Sequence, residues 1–389
     1  MYNIKTLNSI SPVWQGILSE EDYLVSDQNE NMDAIIVRSA DMHGQDYPDS
    51  LLCVGRAGAG VNNIPVEEMA KKGIVVFNTP GANANAVKEL VLTGLLLAGR
   101  DVVGGIEWVQ TQKEYGQDVP KLVEKGKSAF VGPELKGKTL GVIGLGGIGG
   151  MVANIAIDLG MQVLGYDPFI SVDNAWRLSR KIKHVTEQAD LLNQSDYVTI
   201  HVPLTAQTKG SFGKEALAAM KEGSVLLNFS RGEIVDTTAL LDALNAGKIR
   251  RYVTDFPNAE ILGHKQIIAI PHLGASTPES ENNCVDMIAH QIKNYLECGE
   301  IVHSVNYPDC PMGPVHGNRL TVLHANIANM IGQVTSEVAQ EGINISSMIN
   351  RSRGEWAYTV LDLDEPLSEQ GLSRISSLQG IYKVRLIQA

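Results

Sequence analysis

Three side chains in the second half of the chain have the types that hydride and proton chemistry on a small acid requires: Arg231, Glu260 and His272. Each stands at or near the end of a predicted strand, over residues 224–228, 252–255 and 267–270. An arginine grips a carboxylate through a two-bond fork and polarises a neighbouring carbonyl. Histidine, with a pKa near working pH, takes a hydroxyl proton as hydride leaves or returns it during reduction. A carboxylate on the other ring nitrogen fixes the tautomer and stabilises the imidazolium. Together the three suit hydride transfer to or from a 2-hydroxy acid.

That chemistry needs a hydride carrier, and residues 141–167, GVIGLGGIGGMVANIAIDLGMQVLGYD, have the form of a place for one. A short apolar run turns on Gly144, Gly146 and Gly149, spaced G-x-G-x-x-G with Gly147 and Ile148 between the last two. The first glycine permits the tight turn, the second lets the backbone approach a pyrophosphate, and the third lets helix and strand pack closely. The helix that follows points its free N–H groups and positive dipole end at the phosphates. Asp167 closes the next strand, where a carboxylate accepts the ribose hydroxyls and repels a 2′-phosphate. The expected cofactor is NAD in preference to NADP.

Strand and helix patterns alternate over the first three quarters of the chain, which predicts doubly wound parallel sheets of the α/β class. Apolar runs at 34–37, 51–54 and 74–77 read as buried strands. Arg38 and Arg56 follow the first two of these, where an open α/β sheet binds ligands, and are candidate anchors for an anion. The segment 101–135 is more polar and is expected to pack on a second copy, in a homodimer or homotetramer. Three prolines within 308–314 mark a linker. Beyond it the order β-α-β-β-α-β predicts a small ferredoxin-like domain. The expected division is 1–100 with 276–310, 101–275, and 318–389. In the last part His324, Asn326 and Asn344 offer both donors and acceptors to an amino acid, and L-serine is the expected effector at an interface between two such domains, the alternative being a domain used only for dimerisation.

The 389 residues carry 32 basic against 44 acidic side chains, a formal charge of −12, without a basic block, which argues against nucleic-acid binding. Hydrophobic residues at 44% and charged residues at 20% describe a soluble globular chain. The four cysteines are scattered without metal or redox spacing, so no metal is expected and a reducing compartment is. No signal peptide or membrane span is read, and the expected location is the cytoplasm.

The glycine turn with Asp167, His201-Val-Pro-Leu, Asn228-Phe-Ser-Arg-Gly and Pro271-His-Leu-Gly-Ala-Ser, in this order, resemble the D-isomer-specific 2-hydroxyacid dehydrogenases over nearly the whole chain. The resemblance implies a Rossmann domain, a flavodoxin-like substrate domain and an ACT-like regulatory domain at the C-terminus. It implies that Arg231 binds substrate, Glu260 partners the histidine and His272 is the acid/base. Phe229, Ser230, Asp255, Gly274 and Ala275 are implied as further cofactor contacts, and Ser39 and Gly58 join Arg38 and Arg56 in the substrate region. The implied partner is a small anionic substrate. Two departures stand out: Ile261 follows Glu260 where the family often has proline, and Asn329 stands where it often has glycine. Other 2-hydroxy acids, and a dinucleotide-sensing corepressor on the same scaffold, are the alternative readings.

Overall fold

In chain order the strands and α-helices are β1 (Tyr2–Leu7), β2 (Tyr23–Ser26), β3 (Ala34–Val37), β4 (Cys53–Arg56), α1 (Val66–Lys71), β5 (Val75–Phe77), α2 (Ala84–Gly99), α3 (Val102–Thr111) and α4 (Val119–Gly126). There follow β6 (Thr139–Ile143), α5 (Gly147–Asp158), β7 (Gln162–Tyr166), α6 (Val172–Trp176), β8 (Lys183–His184), α7 (Gln188–Gln194), β9 (Tyr197–Ile200), α8 (Lys214–Ala219), β10 (Ser224–Asn228), α9 (Thr237–Asn245), β11 (Ile249–Thr254) and β12 (Ile267–Ala269). The chain continues through α10 (Pro278–Cys298), β13 (Asn318–Ala325), α11 (Met330–Gln340), β14 (Ile345–Arg353), β15 (Trp356–Leu363), α12 (Glu369–Ser376) and β16 (Ile381–Gln388). This computed structural model describes residues 1–389, which divide into two units, 1–83 with 281–389, and 84–280.

In the first unit a parallel sheet runs β2-β1-β3-β4-β5. This is the flavodoxin-like order, with its switch point between β1 and β3. The strands β1 and β2 are absent from the sequence reading. Only Ile4 in β1 and Tyr23 in β2 are buried, so neither carries the continuous apolar run of an inner strand.

The C-terminal residues form an antiparallel sheet in the order β14-β15-β13-β16, with α11 and α12, which is the expected ferredoxin-like arrangement. Asn329, at the foot of α11, takes the left-handed φ of 65° for which a glycine is otherwise chosen. This sheet shares one core with the parallel sheet. Leu323, Tyr358 and Val360 pack with Ile288, Ile292 and Tyr295 of α10 and with Val75 and Phe77. Carbonyls at the end of α10 are taken by Arg385 (Tyr295 and Leu296), Arg319 (Cys298) and Tyr358 (Gly299). The proline-rich linker therefore joins two parts of one unit.

The second unit holds a seven-stranded parallel sheet, β12-β11-β10-β9-β6-β7-β8. Its order is the Rossmann one with an added edge strand, and the strand order switches sides between β6 and β9. Helix α2 belongs here, because Val87, Val91, Leu95 and Ala98 enter the core beside Val142, Val152 and Val253. The boundary expected near residue 100 falls instead before α2. No helix in the chain is long and apolar enough to cross a membrane.

Candidate active site

The glycine turn leaves β6 at the switch point, and each glycine does a different thing. Gly144 has φ 87°, and a Cβ there would lie 2.5 Å from the His201 carbonyl oxygen. A Cβ on Gly149 would collide with the Gly144 carbonyl oxygen, so α5 sits directly on the turn. A Cβ on Gly146 would meet nothing, and no side chain caps α5, whose first N–H groups stay available. Gly147 is exposed, and Ile148 packs partly on the core. The Asp167 carboxylate accepts the Leu145 N–H at 2.8 Å and the Phe169 N–H at 2.9 Å. It is thereby fixed at the mouth of the turn with lone pairs to spare. An open backbone approach, an uncapped helix and an oriented acid together fit a dinucleotide.

Behind this turn His201 bonds Thr199 Oγ1 through Nε2 at 2.9 Å, and burial pushes its imidazole down to about 3. It supports the turn in its neutral form.

Arg231 and His272 meet through a residue the sequence reading passed over. The Phe256 ring lies 4.6 Å from the His272 ring and 6.0 Å from the Arg231 guanidinium carbon. Both polar side chains are exposed. The Arg231 loop is held by buried Asn228, which donates to the Arg231 carbonyl at 2.8 Å and accepts the Ser230 N–H at 3.1 Å. Arg231 Nη1 also donates to the Ser230 carbonyl at 2.6 Å.

The structure does not bring Glu260 to His272. Asn258 Oδ1 accepts the N–H groups of Glu260 and Ile261, both at 3.1 Å, and Ile261 is buried as the anchor of the loop. Glu260 is left exposed, and its carboxylate makes no ion pair. Asp255 is buried. Burial raises its carboxyl above the ordinary range, opposed first by His272, then by the Asp255 and Gly274 N–H groups and by Arg231. Its Oδ1 has no hydrogen-bond partner. Gly274 packs between Asp255 and Val87, and Ala275 is half-buried. Phe229 and Ser230, expected to touch the cofactor, have internal duties. Phe229 is buried against Gly94, and the Ser230 hydroxyl donates to the Ile200 carbonyl at 2.8 Å.

In the first unit Arg38 and Ser39 follow β3 at the switch point, with Arg56 ending the neighbouring β4. Asn8, after β1, accepts the Ser39 and Ala40 N–H groups at 3.0 and 2.6 Å. Arg56 Nε donates to the Arg38 carbonyl at 3.1 Å, and its guanidinium folds over Gly58, whose φ of 146° is one that side-chain-bearing residues rarely adopt. Arg38 Nη1 meets Glu281 at 2.6 Å. Glu281 could not be found from sequence, because the first turn of α10 is remote from β3 along the chain.

Within one chain His324, Asn326 and Asn344 do not come together. His324 is buried, with Nδ1–H on the Ala325 carbonyl and Nε2 on Thr359 Oγ1, both at 2.8 Å. Asn326 bonds the Gly354 carbonyl at one end of β15, and Asn344 bonds Asp364 at the other. A strand of this length separates them by roughly 25–30 Å, so one amino acid cannot touch all three residues of a chain.

Residues 93–274 match the model of the D-isomer specific 2-hydroxyacid dehydrogenase, NAD binding domain. A D-3-phosphoglycerate dehydrogenase of Methanocaldococcus jannaschii is 34% identical over 377 residues, spanning 94% of this chain and 68% of that protein. The enzyme of the same name in Escherichia coli is 31% identical over 353 residues, 87% of this chain and 82% of that one. The crystal structure of NAD+-bound 3-phosphoglycerate dehydrogenase of Entamoeba histolytica is similar with a TM-score of 0.61 and 27% identity. The match covers 78% of this chain and 98% of that one.

Proposed function

Since the chain belongs to the D-isomer-specific 2-hydroxyacid dehydrogenases, we propose that it is the NAD-dependent enzyme that oxidises 3-phospho-D-glycerate to 3-phosphohydroxypyruvate, the step that opens the phosphorylated route to L-serine. NAD, bound along the glycine turn and Asp167, supplies the hydride acceptor. Arg231 holds the substrate carboxylate in its fork and polarises the carbon–oxygen bond under attack. His272 takes the hydroxyl proton during oxidation and gives it back during reduction. Phe256, packed on both side chains, keeps their separation fixed.

The observation that carries the substrate assignment is the pair Arg38 and Arg56, on neighbouring strand ends beside the switch point. Arg56 is held by the Arg38 carbonyl and Arg38 by Glu281 in the first turn of α10, so the guanidinium groups are oriented before an anion arrives. Ser39 and Gly58 complete that rim. NADH oxidation against a panel of 2-oxo acids tests the reading. 3-Phosphohydroxypyruvate is expected to be the best substrate, and a better rate with an unphosphorylated acid would refute it.

The same reading includes a homo-oligomer. Val102, Ile106 and Val109 of α3 are each about two-fifths or more exposed on one helix, and a second copy would bury them. Sedimentation equilibrium tests this.

A further inference from the structure

We propose that one face of α10 carries a second ligand site, a cavity that takes a small amino alcohol and shares no residue with the substrate and cofactor positions.

Asp286, His290 and Asn294 follow one another at four-residue steps along α10, with Met287 and Gln291 beside them on the same face. Gly299 ends the helix with a φ of 68°, and the chain turns back past that face through Glu300, Val302 and His303. The returning segment is fixed from several sides. Ile301 bridges Cys310, Ser304 bridges Phe77, and the Ser304 carbonyl accepts Arg353 Nη1 at 2.6 Å. His303 takes a left-handed φ of 60°, a costly conformation for a residue with a side chain, while its carbonyl accepts the Asn78 N–H at 3.3 Å. Helix and segment border a cavity of about 340 Å³, the size of a small-molecule site.

Gln291 is the buried member of the lining, only 8% exposed, and neither its Oε1 nor its Nε2 has a hydrogen-bond partner. Leaving both ends of a buried amide unmet is costly, so the place calls for a guest that both donates and accepts. Asp286, His290, Asn294 and His303 are exposed around it, and Glu300 is half-buried. Asp286 forms no ion pair, and the Glu300 carboxylate meets only the neutral Asn294 Nδ2, at 3.1 Å. No lysine or arginine lines the cavity.

Two uncompensated carboxylates draw a cation. No three His, Cys, Asp or Glu side chains converge as a metal ion requires, so the cation is an organic one. A primary ammonium has three N–H donors, enough for Gln291 Oε1 and the carboxylates together. A hydroxyl further along the same molecule accepts from Gln291 Nε2. The carbons between them lie against Met287 and Val302.

The full-length chain, at constant pH, is titrated with 3-amino-1-propanol, with propylamine and with propanoate, while NMR follows the His290 and His303 rings. The amino alcohol should shift both rings saturably with a Kd of about 1 mM, inside the affinity ceiling for so few heavy atoms. Propylamine, which leaves Nε2 unmet, should bind about two- to tenfold more weakly, and propanoate should shift neither ring. Gln291→Met removes the amide at nearly constant volume. It should weaken the amino alcohol at least about tenfold and melt no lower than wild type, because two unmet polar atoms are gone. Asp286→Asn, at the exposed edge, should weaken it about two- to fivefold. No saturable shift up to about 20 mM, equal binding of the amino alcohol and propanoate, or wild-type affinity in Gln291→Met would each overturn the proposal. If Gln291→Met fails to fold, the comparison of amino alcohol with propanoate and the Asp286→Asn titration still decide it.

Discussion

Replacing Gly146 by alanine adds a methyl group that the folded chain has no reason to notice. The backbone there has φ −68°, which any residue adopts, and no atom lies within 4 Å of the new Cβ. Alanine is roughly 0.5–1 kcal/mol worse than glycine as a helix cap, and the lower entropy of the unfolded chain offsets about that much. The melting temperature should stay within about 2 °C of wild type. The open space is nevertheless where a pyrophosphate must come down on the N–H groups of α5. A methyl group that costs one charge-assisted bond removes about 1.5–3 kcal/mol, which weakens NADH binding about 10- to 150-fold. Gly149→Ala is the contrasting change. Its Cβ would run into the Gly144 carbonyl oxygen, a backbone atom that cannot step aside. Overpacking of this kind costs about 1–3 kcal/mol, so this variant should melt several degrees lower. Thermal melts and fluorescence titration of NADH read the two effects separately. A Gly146→Ala enzyme that binds NADH normally would refute the placement of the cofactor on this turn.

Asp167→Ser should erode a preference for NADH over NADPH of about 100-fold or more, since placing like charges together costs several kcal/mol; steady-state kinetics with both cofactors checks this. Arg38→Ala and Arg56→Ala should each cost about 1.5–3 kcal/mol towards the phosphorylated substrate, and much less towards an unphosphorylated analogue. Equal losses on both substrates would mean the arginines only hold the rim. The neutral His201 gives a pH signature of its own. Its folded pKa of about 3 lies below the ordinary 6.5, so the unfolded chain binds a proton first. That stability is complete above 6.5 and is lost as pH falls towards 3, amounting to about 1–2 kcal/mol at pH 5. Urea melts at pH 7 and pH 5 should show wild type losing this much more than His201→Gln.

The cofactor turn was legible because its constraints are local. Gly144, Gly146, Gly149 and Asp167 lie within one β-α-β unit, and backbone geometry alone dictates their types. The C-terminal order β-α-β-β-α-β was legible for the same reason, through alternating patterns inside each strand. Burial of His324 was not, because it depends on Thr359 across the sheet. The exposure of Glu260 was not legible, because a single turn residue, Asn258, decides which way that loop faces. Phe256 carried no polar signal, although it is the ring on which Arg231 and His272 both rest. The flavodoxin-like switch point could not be placed without β1, whose one buried side chain gives no run to read.

Oxidation of a phosphorylated 2-hydroxy acid with NAD is read from the ratio of kcat/KM for 3-phosphohydroxypyruvate to that for hydroxypyruvate, measured on the wild-type enzyme with NADH. Two oriented arginines predict a ratio of about 100 or more, from two charge-assisted contacts that only the phosphate can make. A ratio near one would mean that the arginines do not bind the phosphate.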